Sequence, residues 1–299
     1  MRITQTMLQN NMLKNLFNSQ AQMNKYLTQI NTGKKISRPS DDPVVAMKGM
    51  NYRTQVTEVE QYRRNASEVW NWMDHSDDAL DKATKAIQRM EYLAVQAAND
   101  TYDEEERKSI AQEVRQLQEQ LVELANTNVN GKHIFNGTNT DQKPVNSEAG
   151  DEGYEVTFDP DTLHPVKVEV SKGIQLEVNV SPEEIFDQEL FTNIHNFIQR
   201  LEGNDSGEGD LNDSISELNE SMLKIVDGRA ELGARMNRLE LIEDRLAQQE
   251  IIANDTMAKN EGVDVEEAVT NLLTQEVIHR AALAAGSKII QPSLVDFLR

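Results

Sequence analysis

The chain has no cysteine. Disulfide staples, thiolate nucleophiles and cysteine-based metal sites are therefore excluded. Aromatic residues make up only 5% of its 299 residues, and apolar residues 38%. That is lean for an enzyme with one thick core, and ordinary for helical bundles whose thin seams are filled by Leu, Ile, Ala and Met. No apolar run reaches eighteen residues, so no helix is expected to cross a membrane. The start, Met1-Arg2-Ile3-Thr4-Gln5-Thr6-Met7, lacks the apolar core of a secretory leader, and any export is expected to leave the N-terminus uncleaved. The net charge of -21 argues against nucleic acid as a partner and keeps a sticky subunit soluble.

What the sequence does contain is helical periodicity. From Tyr52 the seam Tyr52, Gln55, Val59, Tyr62, Ala66, Val69, Met73, Ser76, Leu80, Ala83, Ile87, Met90, Ala94, Ala97 advances by three or four residues at every step. Such a seam spans roughly 70 Å at 1.5 Å per residue. A matching seam runs through Leu211, Ile215, Leu218, Met222, Ile225, Leu232, Met236, Leu239, Leu246, Ala253 and Met257, interrupted by Arg229, Glu243 and Glu250. A shorter helix is expected with Ile110, Val114, Leu117, Leu121 and Leu124 on one face, opened by a capping box of Thr101 with Glu104 or Asp103 with Glu106 and folded back on its predecessor.

Each end of the chain adds one more striped segment. Leu13, Leu16, Met23, Leu27 and Ile30 share a face near the N-terminus. Near the C-terminus Val269, Leu273, Val277, Ala281 and Ala284 do so, followed by Leu294, Phe297 and Leu298. Gly33 suits a left-handed cap, Asp42 an N-cap and Pro43 a first helical residue. Asp264 with Glu267 reads as the cap of the last helix. Two lone terminal helices bury too little to offset roughly 1–2 kcal/mol per ordered residue. Both ends are therefore expected to be disordered or loosely helical in the free subunit, and the thirteen striped residues are read as an assembly interface.

Between 131 and 180 the apolar spacing drops to two. Tyr154, Val156, Phe158, then Val166, Val168, Val170, then Ile174, Leu176, Val178, Val180 predict a small antiparallel β element, the first two runs joined through Asp159-Pro160-Asp161. A helix is expected from Ser181 to about Leu201. The expected organisation is an N-terminal assembly helix (1–33), one half of a helical rod (34–130), an insert (131–204), the other half-rod (205–258) and a C-terminal assembly helix (259–299). The fold class is mainly α, an elongated antiparallel helical bundle of coiled-coil rods with a small inserted antiparallel β element.

Candidate chemistry is weak. His75, His133, His164, His195 and His279 include no pair at i, i+3 or i, i+4, so no helical metal pair forms. Thr32-Gly33-Lys34-Lys35 lacks the earlier glycine of a phosphate loop, because Thr28 stands there. Glu104-Glu105-Glu106 complements a helix dipole. Asn65-Ala66-Ser67, Asn136-Gly137-Thr138 and Asn254-Asp255-Thr256 match the glycosylation pattern in a chain rich in those residue types. No catalytic residue, cofactor or metal is expected.

Several segments resemble bacterial flagellins. They are Ile30–Pro43 (INTGKKISRPSDDP), Arg64-Asn65-Ala66, Met90–Asn99 (MEYLAVQAAN), Asn126–Lys132 (NTNVNGK) and Gly228–Glu240 (GRAELGARMNRLE), in the expected order across both halves. Arg38–Pro43, Phe135–Thr138 and Leu294–Leu298 resemble the members that join hook to filament more than those that build the filament. A minor filament flagellin is the alternative, and a signalling coiled-coil protein a further one. The resemblance implies a structural, non-enzymatic role in motility, self-assembly into a ring, contacts with a neighbouring hook-associated protein and with flagellin, and a cytoplasmic chaperone. It also implies export through the flagellar type III apparatus to an extracellular junction, without membrane insertion.

Overall fold

A computed structural model describes residues 5–99, 103–150, 153–156, 164–180, 185–203 and 210–290. The chain is mainly α. Among the described residues its helices are α1 (Gln5–Thr32), α2 (Pro43–Ala97), α3 (Glu104–Ala125), α4 (Gln188–Glu202), α5 (Leu211–Glu261) and α6 (Val265–Ile290). Among the described residues, two-stranded antiparallel pairings join β1 (Asn128–Val129) to β2 (Lys132–His133), β3 (Val145–Gly150) to β4 (Gly153–Val156), and β5 (Lys167–Ser171) to β6 (Ile174–Glu177). The residues divide into two units, Met1–Glu58 with Gln249–Arg299, and Val59–Gln248.

The second unit holds the main core. The seam of α2 is buried at every predicted position from Ala66 to Ala97, and Leu218, Ile225, Leu232, Leu239 and Leu246 of α5 are buried with it. Ala79, Ala86 and Leu93 are buried as well, so α2 carries two apolar stripes rather than one. Alanine at two of these positions lets neighbouring helices approach closely. Arg89 of α2 pairs with Glu113 of α3 at 2.7 Å. Asp103 caps α3, its N–H donating to the Glu106 carboxylate at 3.3 Å, while the Thr101 alternative lies outside the described residues. At the start of α2 the seam departs from expectation, because Val56 is buried and Gln55 is exposed. A strict heptad drifts around a straight helix, and the apolar neighbour takes over the buried position.

The β insert also differs from its reading. The run at Ile174–Glu177 pairs with Lys167–Ser171 across Gly173 (φ 73°), as expected. Tyr154 and Val156 do not join that hairpin; their strand pairs with Val145–Gly150, Val145 opposite Val156. This strand escaped detection because Val-Asn-Ser-Glu-Ala-Gly shows no apolar alternation. Its register is set instead by Asn126, whose side chain accepts from Val145 N–H at 3.0 Å and donates to Val145 C=O at 2.9 Å. The helix ending at Glu202 starts after Asp187, which accepts from Leu190 N–H at 2.8 Å. The expected start at Ser181 lies outside the described residues.

The segment Gly228–Glu240 anchors this unit. The Arg229 guanidinium binds Asp77 through Nε at 2.7 Å and Nη2 at 3.2 Å, and Asp81 through Nη1 at 2.6 Å. Arg235 donates to the carbonyl of Asn179 at 2.8 Å, tying the insert to α5. A Cβ on Gly228 would stand 2.6 Å from Ile185 Cδ1, whereas one on Gly233 would meet nothing. Gly233→Ala should therefore raise stability by about 1 kcal/mol, the helix propensity gain. Gly228→Val should lower it by about 1–3 kcal/mol through overpacking. Urea unfolding followed by circular dichroism checks both.

Candidate assembly interface

The first unit is built around a joint between two chain breaks. Gly33 ends α1 at φ 67°. Asp41 then organises the loop, its carboxylate accepting from Arg38 N–H at 2.9 Å, Ser37 N–H at 3.2 Å and Ser37 Oγ at 3.4 Å. Those donors, Arg38 first, hold its carboxyl below the usual range. Asp42 accepts from Val44 N–H at 3.0 Å and Val45 N–H at 3.1 Å, and Pro43 opens α2 as expected. Across the second break Asp264 accepts from Glu266 and Glu267 N–H groups at 3.0 and 3.2 Å, capping α6.

Backbone pairing ties the two breaks together. Lys35 N–H donates to Glu261 C=O at 2.7 Å, and Val263 N–H to Gly33 C=O at 3.1 Å. The Glu261 side chain is only 10% exposed and receives Arg53 Nη2 at 2.6 Å, with Lys34 Nζ at 3.7 Å. Its other oxygen would stand 2.7 Å from a Cβ at Gly49, so glycine here serves close approach. Asn260 donates to the carbonyl of Val45 at 3.1 Å. The Arg53 hydrogen bond holds the Glu261 carboxyl below its ordinary range, against the opposing effect of burial.

From this joint α1 and α6 extend side by side, antiparallel. Gln275 Nε2 donates to Ser19 Oγ at 3.2 Å, and nearer the free ends Gly286 packs on Met12, where a Cβ would collide with the methionine. Ser19, Ala268 and Gly286 are buried, so the helices touch through small residues. Gln5–Thr32 and Val265–Ile290 are thus helical and paired with each other. Small side chains at the contact bring the two backbones close enough to pack.

That pairing leaves the other faces bare. Leu16, Met23 and Ile30 are half-buried beside α6, while Leu13 and Leu27 remain exposed. On α6 the anticipated stripe faces away from α1. Val269, Leu273, Val277, Ala281 and Ala284 are all exposed, Leu273 at 57% and Val277 at 65%. Leu294, Phe297 and Leu298 lie outside the described residues. Sequence reasoning missed Phe17, exposed at 66%, and Val265, Ile278 and Leu283, because each falls off the single stripe traced. It also missed Arg53, Gly49 and Glu261; the glycine inside an otherwise helical run was the available clue.

Two halves of one architecture are matched by family models. The bacterial flagellin N-terminal helical region matches residues 3–140, and the C-terminal helical region matches residues 215–298. The chain belongs to the bacterial flagellin family. Flagellar hook-associated protein 3 of Escherichia coli (strain K12) is 26% identical to it over 309 residues, covering 94% of each chain. Flagellin FlaB1 of Treponema pallidum (strain Nichols) is 24% identical, over 96% of each. The fold is shared with the solved flagellar junction protein FlgL from Legionella pneumophila, at TM-score 0.57 and 15% identity, over 72% of this chain and 100% of that one. Flagellin-family membership gives the bare terminal faces a context, since large exposed apolar faces mark interaction sites.

Amides of α1 and α6 should exchange with solvent much faster than those of Ala66–Ala97 in the isolated chain, as hydrogen exchange can measure. Equal protection would mean that the terminal pair is as secure as the core. Glu261→Gln should destabilise the joint by about 1–3 kcal/mol near neutral pH, through loss of a charged hydrogen bond. A carboxyl held low when folded contributes stability above the usual carboxylate range and loses it as pH falls below that range. The gap between wild type and Glu261→Gln should accordingly close in acid, followed by thermal unfolding at stepped pH.

Proposed function

We propose that this chain is a structural adapter at the hook–filament junction of the bacterial flagellum, polymerising through its terminal helices. The observation that carries the reading is the outward stripe of α6, from Val269 to Ala284, which the helices among the described residues leave uncovered. In the adapter reading, neighbouring copies supply the missing apolar surface, and the terminal helices line the wall of a tube. The match to hook-associated protein 3 over 94% of each chain supports this role over a signalling coiled coil. Its partners would be further copies in a ring, a hook-associated protein on one side and flagellin on the other. A cytoplasmic chaperone would cover the apolar faces before type III export.

A minor filament flagellin is the second reading, favoured by the likeness to Treponema pallidum FlaB1. The phenotype of a deletion strain separates the two. An adapter's loss leaves bare hooks and flagellin in the medium; a minor flagellin's loss leaves filaments in place. Leu273→Asp should keep full helical content, because the site is exposed, and yet fail to restore filaments in that strain. Normal swimming with Leu273→Asp would remove α6 from the interface.

A further inference from the structure

A cavity of about 310 Å³ lies between α2 and the β insert, a size that suits a small molecule. Glu68 and Trp72 line it from α2, one turn apart on the same side of the helix, with the buried Val69 beside them. A second wall is Lys132 of β2 with Thr138 and Thr140 of the loop that follows. His133 N–H donates to Thr140 C=O at 2.8 Å and holds that loop against the strand. Val166, Val168 and Val178 complete the lining. Val166 and Val168 alternate around Lys167, and the register of β5 with β6 sets Val178 opposite Val166, so the three present one apolar face. Val178 N–H donates to Val166 C=O at 2.9 Å. Asn65 of α2 donates to the carbonyl of Glu169 at 2.9 Å and fixes β5 on the helix. The walls are therefore formed before any ligand arrives.

Three groups in this lining lack partners. Glu68 and Lys132 carry opposite charges, are exposed, and make no ion pair among the described residues. Nearby Lys167 and Arg235 are each paired with Glu177. The Trp72 Nε1–H is buried and meets no acceptor among the described residues. A buried donor without an acceptor is costly and uncommon, and a ligand oxygen would satisfy it. The lining also discriminates between ligand classes. A simple anion would meet the Glu68 carboxylate, a simple cation would meet Lys132, and a wholly apolar molecule would strip water from both. A sugar would set its hydroxyls against the valines. A zwitterion with an apolar side chain suits every wall. Its ammonium group is matched by Glu68 and the indole, its carboxylate by Lys132 and the Thr140 hydroxyl, and its side chain by the valines. We infer that this cavity binds a small apolar zwitterion, an amino acid or a dipeptide. The site lies within the unit Val59–Gln248 and does not depend on the terminal helices or on the adapter reading.

Calorimetry on the full-length wild-type chain tests the site, with L-leucine and L-leucyl-L-leucine as probes titrated into the millimolar range. At least one of them should bind saturably and raise the thermal midpoint. The tighter of the two tells an amino-acid site from a peptide site. Trp70→Phe leaves Trp72 as the single tryptophan, and its emission should shift with the same saturation. N-acetyl-L-leucinamide, which lacks both charges, should bind about tenfold more weakly. Glu68→Gln and Lys132→Gln should each weaken binding about tenfold. Circular dichroism should show both variants as helical as wild type, since these side chains are exposed. No saturable heat from either probe, an uncharged analogue that binds as tightly, or charge variants that bind like wild type would overturn the inference.

Discussion

A pair of helices can cover only one side of each member. That geometric limit governs the ends of this chain. Where α2 is flanked by several elements, it buries two stripes and its sequence supplies alanines for both. Where α1 and α6 pack on each other, one strip is buried and, among the described residues, the rest stays bare. The fully buried residues along that strip are small, Ser19, Ala268 and Gly286, with Met12, Leu16, Met23 and Ile30 half-buried around them. The most exposed bulky side chains point outward, at Phe17, Leu273 and Val277. A sequence designed for a closed monomer would do the reverse, because burial of large side chains is what offsets ordering entropy. The terminal helices are therefore held together just enough to be presented.

Presentation requires a fixed base, and the joint at Glu261 provides it. A buried carboxylate is costly unless paired, so its site must supply a partner as well as room. Arg53 supplies the partner and Gly49 the room, from one face of the first turns of α2. Backbone bonds from Lys35 and Val263 then close the gap between the end of α1 and the start of α6. The flagellin-like segment Ile30–Pro43 can be understood residue by residue in these terms. Gly33 turns the chain, Lys34 and Lys35 meet the second break, Asp41 folds the loop, Asp42 and Pro43 start the next helix. Gly228–Glu240 does the same for the other unit, through Gly228, Arg229 and Arg235.

The long helices were legible because a periodic signal sustained over a dozen turns averages out local exceptions, and the caps at Gly33, Asp42, Asp103 and Asp264 were legible because each depends on one residue type at one position. What escaped notice depended on partners distant in sequence. The strand Val145–Gly150 is held by Asn126, nineteen residues away, with no alternation of its own to announce it. Arg53 and Glu261 are separated by 208 positions and look, in isolation, like two surface charges. Periodicity found the α6 stripe but not which of its sides would be covered, since that is decided by where Gly286 and Ala268 let α1 approach.

Acidity and stickiness then have to be reconciled. With a net charge of -21, copies repel one another at long range, which opposes indiscriminate association of exposed apolar faces. Within that acidic chain α1 is an exception, carrying Lys14 and Lys25 and no acid. Net charge thus disfavours the many wrong encounters of exposed apolar faces. Apolar area supplies affinity without direction, and charge supplies direction with little affinity of its own.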